Sequence, residues 1–365
     1  MTHPRTLAEI PTPALVIDLP AMERNIRTMA AYFADGPCRL RPHFKAHKTP
    51  EIAKRQLAAG SCTGLTVATV GEAEVAATVC DDILIANQVI GSEKCSRVAH
   101  LARGVRVSVA VESALGLAQL SDAALRAGST VGVLVEVNIG FRAGTGPGEP
   151  AVALARRAAD TAGVELRGLM GYAGHAAGME DRTQREAAER SAIERLLMSV
   201  AAVREAGIPC EIVSAGSTGT YDITGRIDGV TEIQAGSYVL MDTAYAKFGL
   251  PFEQAFWVQG TVLSRPGETR VTADCGHKSC TMDHGMPDVK DVPGASVMFL
   301  ADEHTTITVP PECALGPGDP VALWPSHIDP TINLHDAFYV LNGNAVVDVW
   351  PISARGYGEG HAVTG

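Results

Sequence analysis

The chain has 365 residues, 46% of them apolar and 19% charged, enough for a barrel-sized domain and a smaller one. Its formal net charge of −11 argues against a nucleic-acid or anionic-membrane surface, since both select a basic face. Neither a run of about 18 apolar residues nor a secretory leader is found, so a cytoplasmic protein without a membrane helix is expected. In chain order, "PALVIDL" predicts a short strand and "PAMERNIRTMAAYFA" a helix opened by proline. Eight further strands are predicted at 38–44, 64–69, 82–87, 105–112, 130–139, 164–172, 210–216 and 230–236, with helical segments between them. Most are apolar throughout, as strands are when both faces of a parallel sheet are covered. Eight strand–helix units predict a (β/α)₈ TIM-type barrel over residues 20–250. Past residue 250 helical periodicity stops, and short alternating segments separated by Pro/Gly turns predict a mainly-β domain from 1–19 and 251–365. Eight cysteines are scattered without a CxxC pair and read as reduced thiols.

The stretch "LRPHFKAHKT" (40–49) puts two histidines and two lysines at the end of the first barrel strand. Barrel active sites lie at the C-terminal ends of the strands, and phosphate is often held by the loops after strands seven and eight. Those loops are "SAGSTGT" (214–220) and "QAGSY" (234–238), both rich in glycine and hydroxyls. Either alone is an ordinary turn; together they predict an anion held by backbone N–H groups and hydroxyls. A lysine facing a phosphate across a barrel mouth is the arrangement a pyridoxal phosphate (PLP) site needs.

The segments "TPALVIDLPAMERNI", "LRPHFKAHKTPEIAKRQL", "TVGEAEVA", "DDILIANQV" and "SHIDPTINLHDAFYV…VWPISARG" resemble the D-threonine aldolase/D-serine dehydratase family nearly end to end. These are fold-type III PLP enzymes with an alanine-racemase-like barrel. The resemblance implies Lys45 as the Schiff-base lysine, with His47 and Lys48 beside it as a positive cluster that lowers the lysine pKa. It implies Arg142 as the arginine approaching the cofactor ring, and Tyr172 as a tyrosine of the cofactor pocket. Ser217, Thr218, Gly219, Gly236, Ser237 and Tyr238 become the phosphate residues. Gln234 stands where alanine racemases of this fold carry an arginine. His327 and Asp329 form an H-x-D pair; in an extended segment residues i and i+2 share a face and can converge on one cation. The resemblance makes this the metal position, and a carboxylate there favours Mn²⁺ or Mg²⁺, with Zn²⁺ as the alternative. His335 and Asp336 are either supporting groups or polar turn residues.

The implied activity is a PLP- and metal-dependent lyase on a D-3-hydroxy amino acid, cleaving it to glycine and an aldehyde. The alternative is dehydration of D-serine or D-threo-3-hydroxyaspartate to a 2-oxo acid and ammonia. A racemase needs no metal, and a non-enzymatic PLP carrier would lack the β-domain, so both fit the H-x-D pair less well. One departure bears on the base: aldolases of the family tend to place a histidine six residues past the pocket tyrosine, which here is Gly178. His175 either replaces that base or lines the pocket, with His47, His277 and His304 as further candidates. The family also implies a homodimer.

Overall fold

The computed structural model describes residues 4–140 and 142–356, which pack as two units. One holds Met29–Lys45 and Ile52–Gly236; the other holds the chain up to Thr28, Ala46–Glu51 and Ser237–Gly356. No described helix is long and apolar enough to cross a membrane. All eight cysteines are free thiols.

Strand β1 (Ala14–Asp18) precedes the barrel strands β2 (Arg39–Leu40), β3 (Leu65–Val67), β4 (Asp82–Gln88) and β5 (Arg106–Val111). They continue with β6 (Val131–Glu136), β7 (Val164–Met170), β8 (Ile212–Ala215) and β9 (Glu232–Ile233). All pairs in this sheet are parallel, in the order β2-β9-β8-β7-β6-β5-β4-β3. Parallel bridges Leu40–Cys62 and His43–Thr66 link its two ends, so the sheet curls round on itself. This is the expected parallel barrel; seven of its eight strands fall inside their predicted segments, and β4 runs one residue past its own.

The apolar runs divide between two faces. Leu84, Ala86, Ala110, Leu134 and Met170, one face of four consecutive strands, pack into a cluster made of strand residues alone. Each of the two leucines and the methionine contributes roughly 1.5–3 kcal/mol on burial. The N-terminal end of the barrel is polar instead. Arg41 is 3% exposed and bonds Asp82 and Glu232, which open β4 and β9, at 2.8 and 2.9 Å. Arg167 donates to Ser108 Oγ at 2.8 Å and fills the space over Gly132, where a Cβ would lie 2.4 Å from its guanidinium. A side chain at that strand position would displace the guanidinium.

The predicted strand 38–44 is regular only over Arg39–Leu40, but its parallel pairing runs on through Arg41 N to Ile233 O and His43 N to Ala235 O, at 2.8 and 2.9 Å, before Phe44–Ala46 winds into a 3₁₀ turn. Lys45 is exposed on the turn that directly follows this paired segment.

The second unit is a mainly antiparallel sheet. Its strands are β10 (Phe256–Ser264), β11 (Arg270–Ala273), β12 (Asp288–Lys290), β13 (Ser296–Leu300) and β14 (Thr305–Thr308), then β15 (Pro320–Trp324), β16 (Ala337–Asn342) and β17 (Ala345–Pro351). The order is β13-β14-β11-β10-β1-β16-β17, with β15 pairing both β10 and β12. Strand β1 sits in its middle, antiparallel to β10 and parallel to β16. Its core gathers Ile10, Ala14, Val16, Trp257 and Leu341 from both ends of the sequence.

Candidate active site

In the barrel unit, residues from two neighbouring loops meet. The loop after β6 carries Arg142, whose guanidinium lies 5.3 Å from the Tyr172 ring centroid. Tyr172 and His175 follow β7, and His175 sits on a short helix, Gly174–Ala177. The β6 loop comes so near that a Cβ on Gly140 would lie 2.8 Å from His175 Nδ1. Arg142 is held by Glu136, the last residue of β6, at 2.8 Å, and Gln88 Nε2 donates to the same carboxylate. Glu136 and Gln88 were missed from sequence; the signal was a lone carboxylate inside an apolar strand, which burial without a partner would penalise.

The phosphate candidates of this unit lie on the next two loops. Ser217, Thr218 and Gly219 are buried after β8, and Ser217 Oγ lies 3.3 Å from Thr220 Oγ1. Gly216 holds a φ of +75°, the left-handed region that glycine enters without strain. Thr220 and Thr224 donate to Glu189 at 3.2 and 2.5 Å, and burial pushes this carboxyl up to about 7. Gln234, after β9, donates to Ser214 Oγ at 2.8 Å. Gly236 ends the barrel unit; Ser237 and Tyr238 open the 3₁₀ turn Ser237–Val239, which is grouped with the other unit. Small, buried, hydroxyl-bearing residues with glycines between them are a donor set that suits a phosphate.

His47 is fully buried, and its Nδ1 accepts the Thr49 N–H at 3.2 Å. An accepting Nδ1 belongs to a neutral ring with its proton on Nε2. The expected positive cluster after Lys45 thus loses one of its members, because the local turn uses the imidazole as an acceptor.

In the second unit, His327 and Asp329 do come together, but not through strand alternation. His327 caps the short helix Ile328–Ile332 and Asp329 lies in its first turn. Their Nε2 and Oδ2 atoms are 3.6 Å apart, a gap that two ligand bonds of roughly 2.1 Å can bridge. An imidazole nitrogen and a carboxylate oxygen are a chemically sound donor pair for a divalent cation. Asp283 Oδ2 lies 2.5 Å from His327 Nδ1, and His284 stacks on the His327 ring with centroids 3.8 Å apart. Burial works against the charged form of His327, but hydrogen bonds and charge from Asp329 and Asp283 outweigh it and raise its pKa. Burial likewise opposes the charge on Asp283, yet the contact with His327 wins and lowers its pKa. Burial, then His327, lowers that of His284.

Asp242 is buried beneath this helix, accepting from Ile328 N at 3.1 Å, and burial pushes it up to about 6. The other histidines fall elsewhere. His335 Nε2 meets Ser279 O at 2.7 Å, Asp336 pairs with Arg355, and His277 and His304 are exposed. Asp283 and His284 were invisible from sequence, because 44 residues separate Asp283 from His327.

The alanine racemase N-terminal domain family matches residues 17–244, and a putative serine dehydratase domain matches 255–341. The chain is 41% identical over 361 residues to a D-threonine aldolase of Arthrobacter sp., covering 96% of this chain and 94% of that one. A solved D-threonine aldolase from Filomicrobium marinum superposes with a TM-score of 0.94 at 38% identity, covering 97% of this chain and 98% of that one. D-threo-3-hydroxyaspartate dehydratase from Delftia sp. HT23 superposes at 0.86 with 28% identity, over 97% and 100% of the two chains. The chain belongs to the D-threonine aldolase/D-serine dehydratase family, on an alanine-racemase-type barrel with a separate β-sheet unit.

Proposed function

We propose that this chain is a PLP- and divalent-metal-dependent lyase of D-3-hydroxy amino acids, cleaving the Cα–Cβ bond to give glycine and an aldehyde. The observation that carries the reading is the 41% identity to a D-threonine aldolase over nearly the whole chain. When bound, PLP supplies an electron sink for the carbon that loses its bond, and the cation acidifies the β-hydroxyl.

The chain's own residues divide the remaining work. Lys45 Nζ is the nucleophile that holds the cofactor covalently. Ser217, Thr218 and Gly219, with Gln234, Gly236, Ser237 and Tyr238, anchor its phosphate. Arg142, fixed by Glu136 and the Tyr172 ring, presents only donors, so a ring nitrogen facing it stays unprotonated. A bound PLP with that nitrogen unprotonated would be a weaker electron sink. His327 and Asp329 are the cation donors, and Mn²⁺ or Mg²⁺ suits the carboxylate. His175, next to Tyr172 and the loop of Arg142, is the group best placed within the barrel unit to accept the substrate proton.

A second reading has a specific observation in its favour. Position 178 is an exposed glycine, and the nearest histidine is His175, three residues after Tyr172. A base in a different place favours removal of the α-proton and loss of the hydroxyl, which yields a 2-oxo acid and ammonia. Incubating the PLP- and Mn²⁺-loaded protein with D-threonine and with D-threo-3-hydroxyaspartate separates the two. Glycine and an aldehyde are expected; a 2-oxo acid would install the dehydratase reading, and neither product would remove the lyase reading altogether.

A further inference from the structure

The His327 ring is held at Nδ1 and on one face, with Nε2 turned towards Asp329. Nδ1 lies 2.5 Å from Asp283 Oδ2, Nε2 lies 3.6 Å from Asp329 Oδ2, and His284 stacks at an interplanar angle of 8°. An ionised carboxylate only accepts, so the contact with Asp283 requires the proton on Nδ1. The lone pair is then on Nε2, on the side of Asp329. The loop that brings Asp283 is itself fixed to the helix carrying Asp329: Thr281 N and Oγ1 lie 3.2 and 2.9 Å from Thr331 Oγ1, which is fully buried.

Asp283, His284 and His327 also offer donor atoms within 4.8 Å of one another, and so form a competing three-residue cation site. The distances favour the His327–Asp329 pair. Two ligand bonds of roughly 2.0–2.2 Å need donors about 3 Å apart or more. The 2.5 Å between Asp283 Oδ2 and His327 Nδ1 has no room for an ion, whereas the 3.6 Å between His327 Nε2 and Asp329 Oδ2 does. Stacked rings also turn their faces to each other, and imidazole lone pairs lie in the ring plane.

We infer that Asp283 is a positioning residue for the divalent-cation site, fixing the tautomer and direction of His327 so that Nε2 joins Asp329 on the ion, while His284 only walls the ring. The inference rests on the reading of His327 and Asp329 as the cation donors. A carboxylate on the far nitrogen of a ligating histidine raises its basicity and holds its ring, and its loss costs roughly 10–100-fold in metal affinity.

The test is calorimetric titration of Mn²⁺ into the full-length, PLP-loaded protein, with thermal unfolding in chelator as the control for folding. Asp283→Ala is expected to weaken Mn²⁺ binding by roughly 10–100-fold at an unchanged unfolding midpoint. Asp283→Asn should recover part of that loss, because its amide oxygen still accepts Nδ1–H. His284→Ala should leave the affinity within about threefold of the parent, because the ring contributes no ligand bond. An equal loss in His284→Ala would assign the ion to the Asp283–His284–His327 set and overturn the inference. Unchanged binding in Asp283→Ala, with binding lost in His327→Ala, would overturn the positioning role alone. Binding that survives His327→Ala would remove the underlying metal reading as well.

Discussion

In the barrel unit the candidate cofactor-site side chains lie on the loops after buried parallel strands, and the groups that brace them include buried carboxylates such as Glu136 and Glu189. In the β-rich unit the candidate cation donors, His327 and Asp329, sit at the start of one short helix, and an exposed loop reaches them through one short contact between Asp283 and His327. The first arrangement ties the site to the stability of the sheet. The second ties it to a few side-chain contacts that can change while the sheet stays intact. Substitutions in the barrel unit should therefore move stability and cofactor binding together, and those at the cation donors should move metal affinity almost alone.

The largest effect tests the barrel half of this comparison. Lys45→Ala should lower turnover by at least roughly a thousandfold and remove the borohydride-stable mass increment that PLP leaves on the parent protein. A retained increment would mean that another amine holds the cofactor. For the β-rich half, chelation should remove most activity while the denaturant midpoint hardly moves. A large drop in that midpoint would show the cation to be structural and break the contrast.

Next comes Arg41→Ala at the polar end of the barrel. It leaves Glu232 buried without its cation and should cost about 3–5 kcal/mol in urea unfolding. Glu189 sharpens the same point through pH. Its folded pKa of about 7 stands above the ordinary 4.5, so the fold favours the protonated form. Its contribution is fully present below pH 4.5 and is lost as pH rises through 7, an effect of at most about 3 kcal/mol. Glu189→Gln should abolish that slope, so its advantage over the parent grows from pH 5 to pH 8; parallel curves would refute the assignment. The smallest effect is Ser113→Ala, which removes the cap accepted from Gly116 N on helix Ala114–Ala127 and should cost about 1 kcal/mol.

The sequence by itself determined the eight barrel strands and the change to a β-rich region after residue 250, and it put forward the residue types for a cofactor and a cation. Those features are local: a buried parallel strand needs a continuous apolar run, and a phosphate loop needs small residues in a row. In "LRPHFKAHKT" the strand is legible, but the 3₁₀ turn at Phe44–Ala46 that carries Lys45 lies below the resolution of an apolar pattern. His327 and Asp329 were paired for the wrong geometric reason, because a capped helical turn and an extended strand both bring i and i+2 near one another.

Only the tertiary structure decided the partners. Asp283 meets His327 across 44 residues, Glu189 meets Thr220 across 31, and Arg41 meets Glu232 across 191. Each contact depends on where whole elements pack, and a buried charge finds its counter-charge wherever the fold brings one, with no spacing in the chain to mark it.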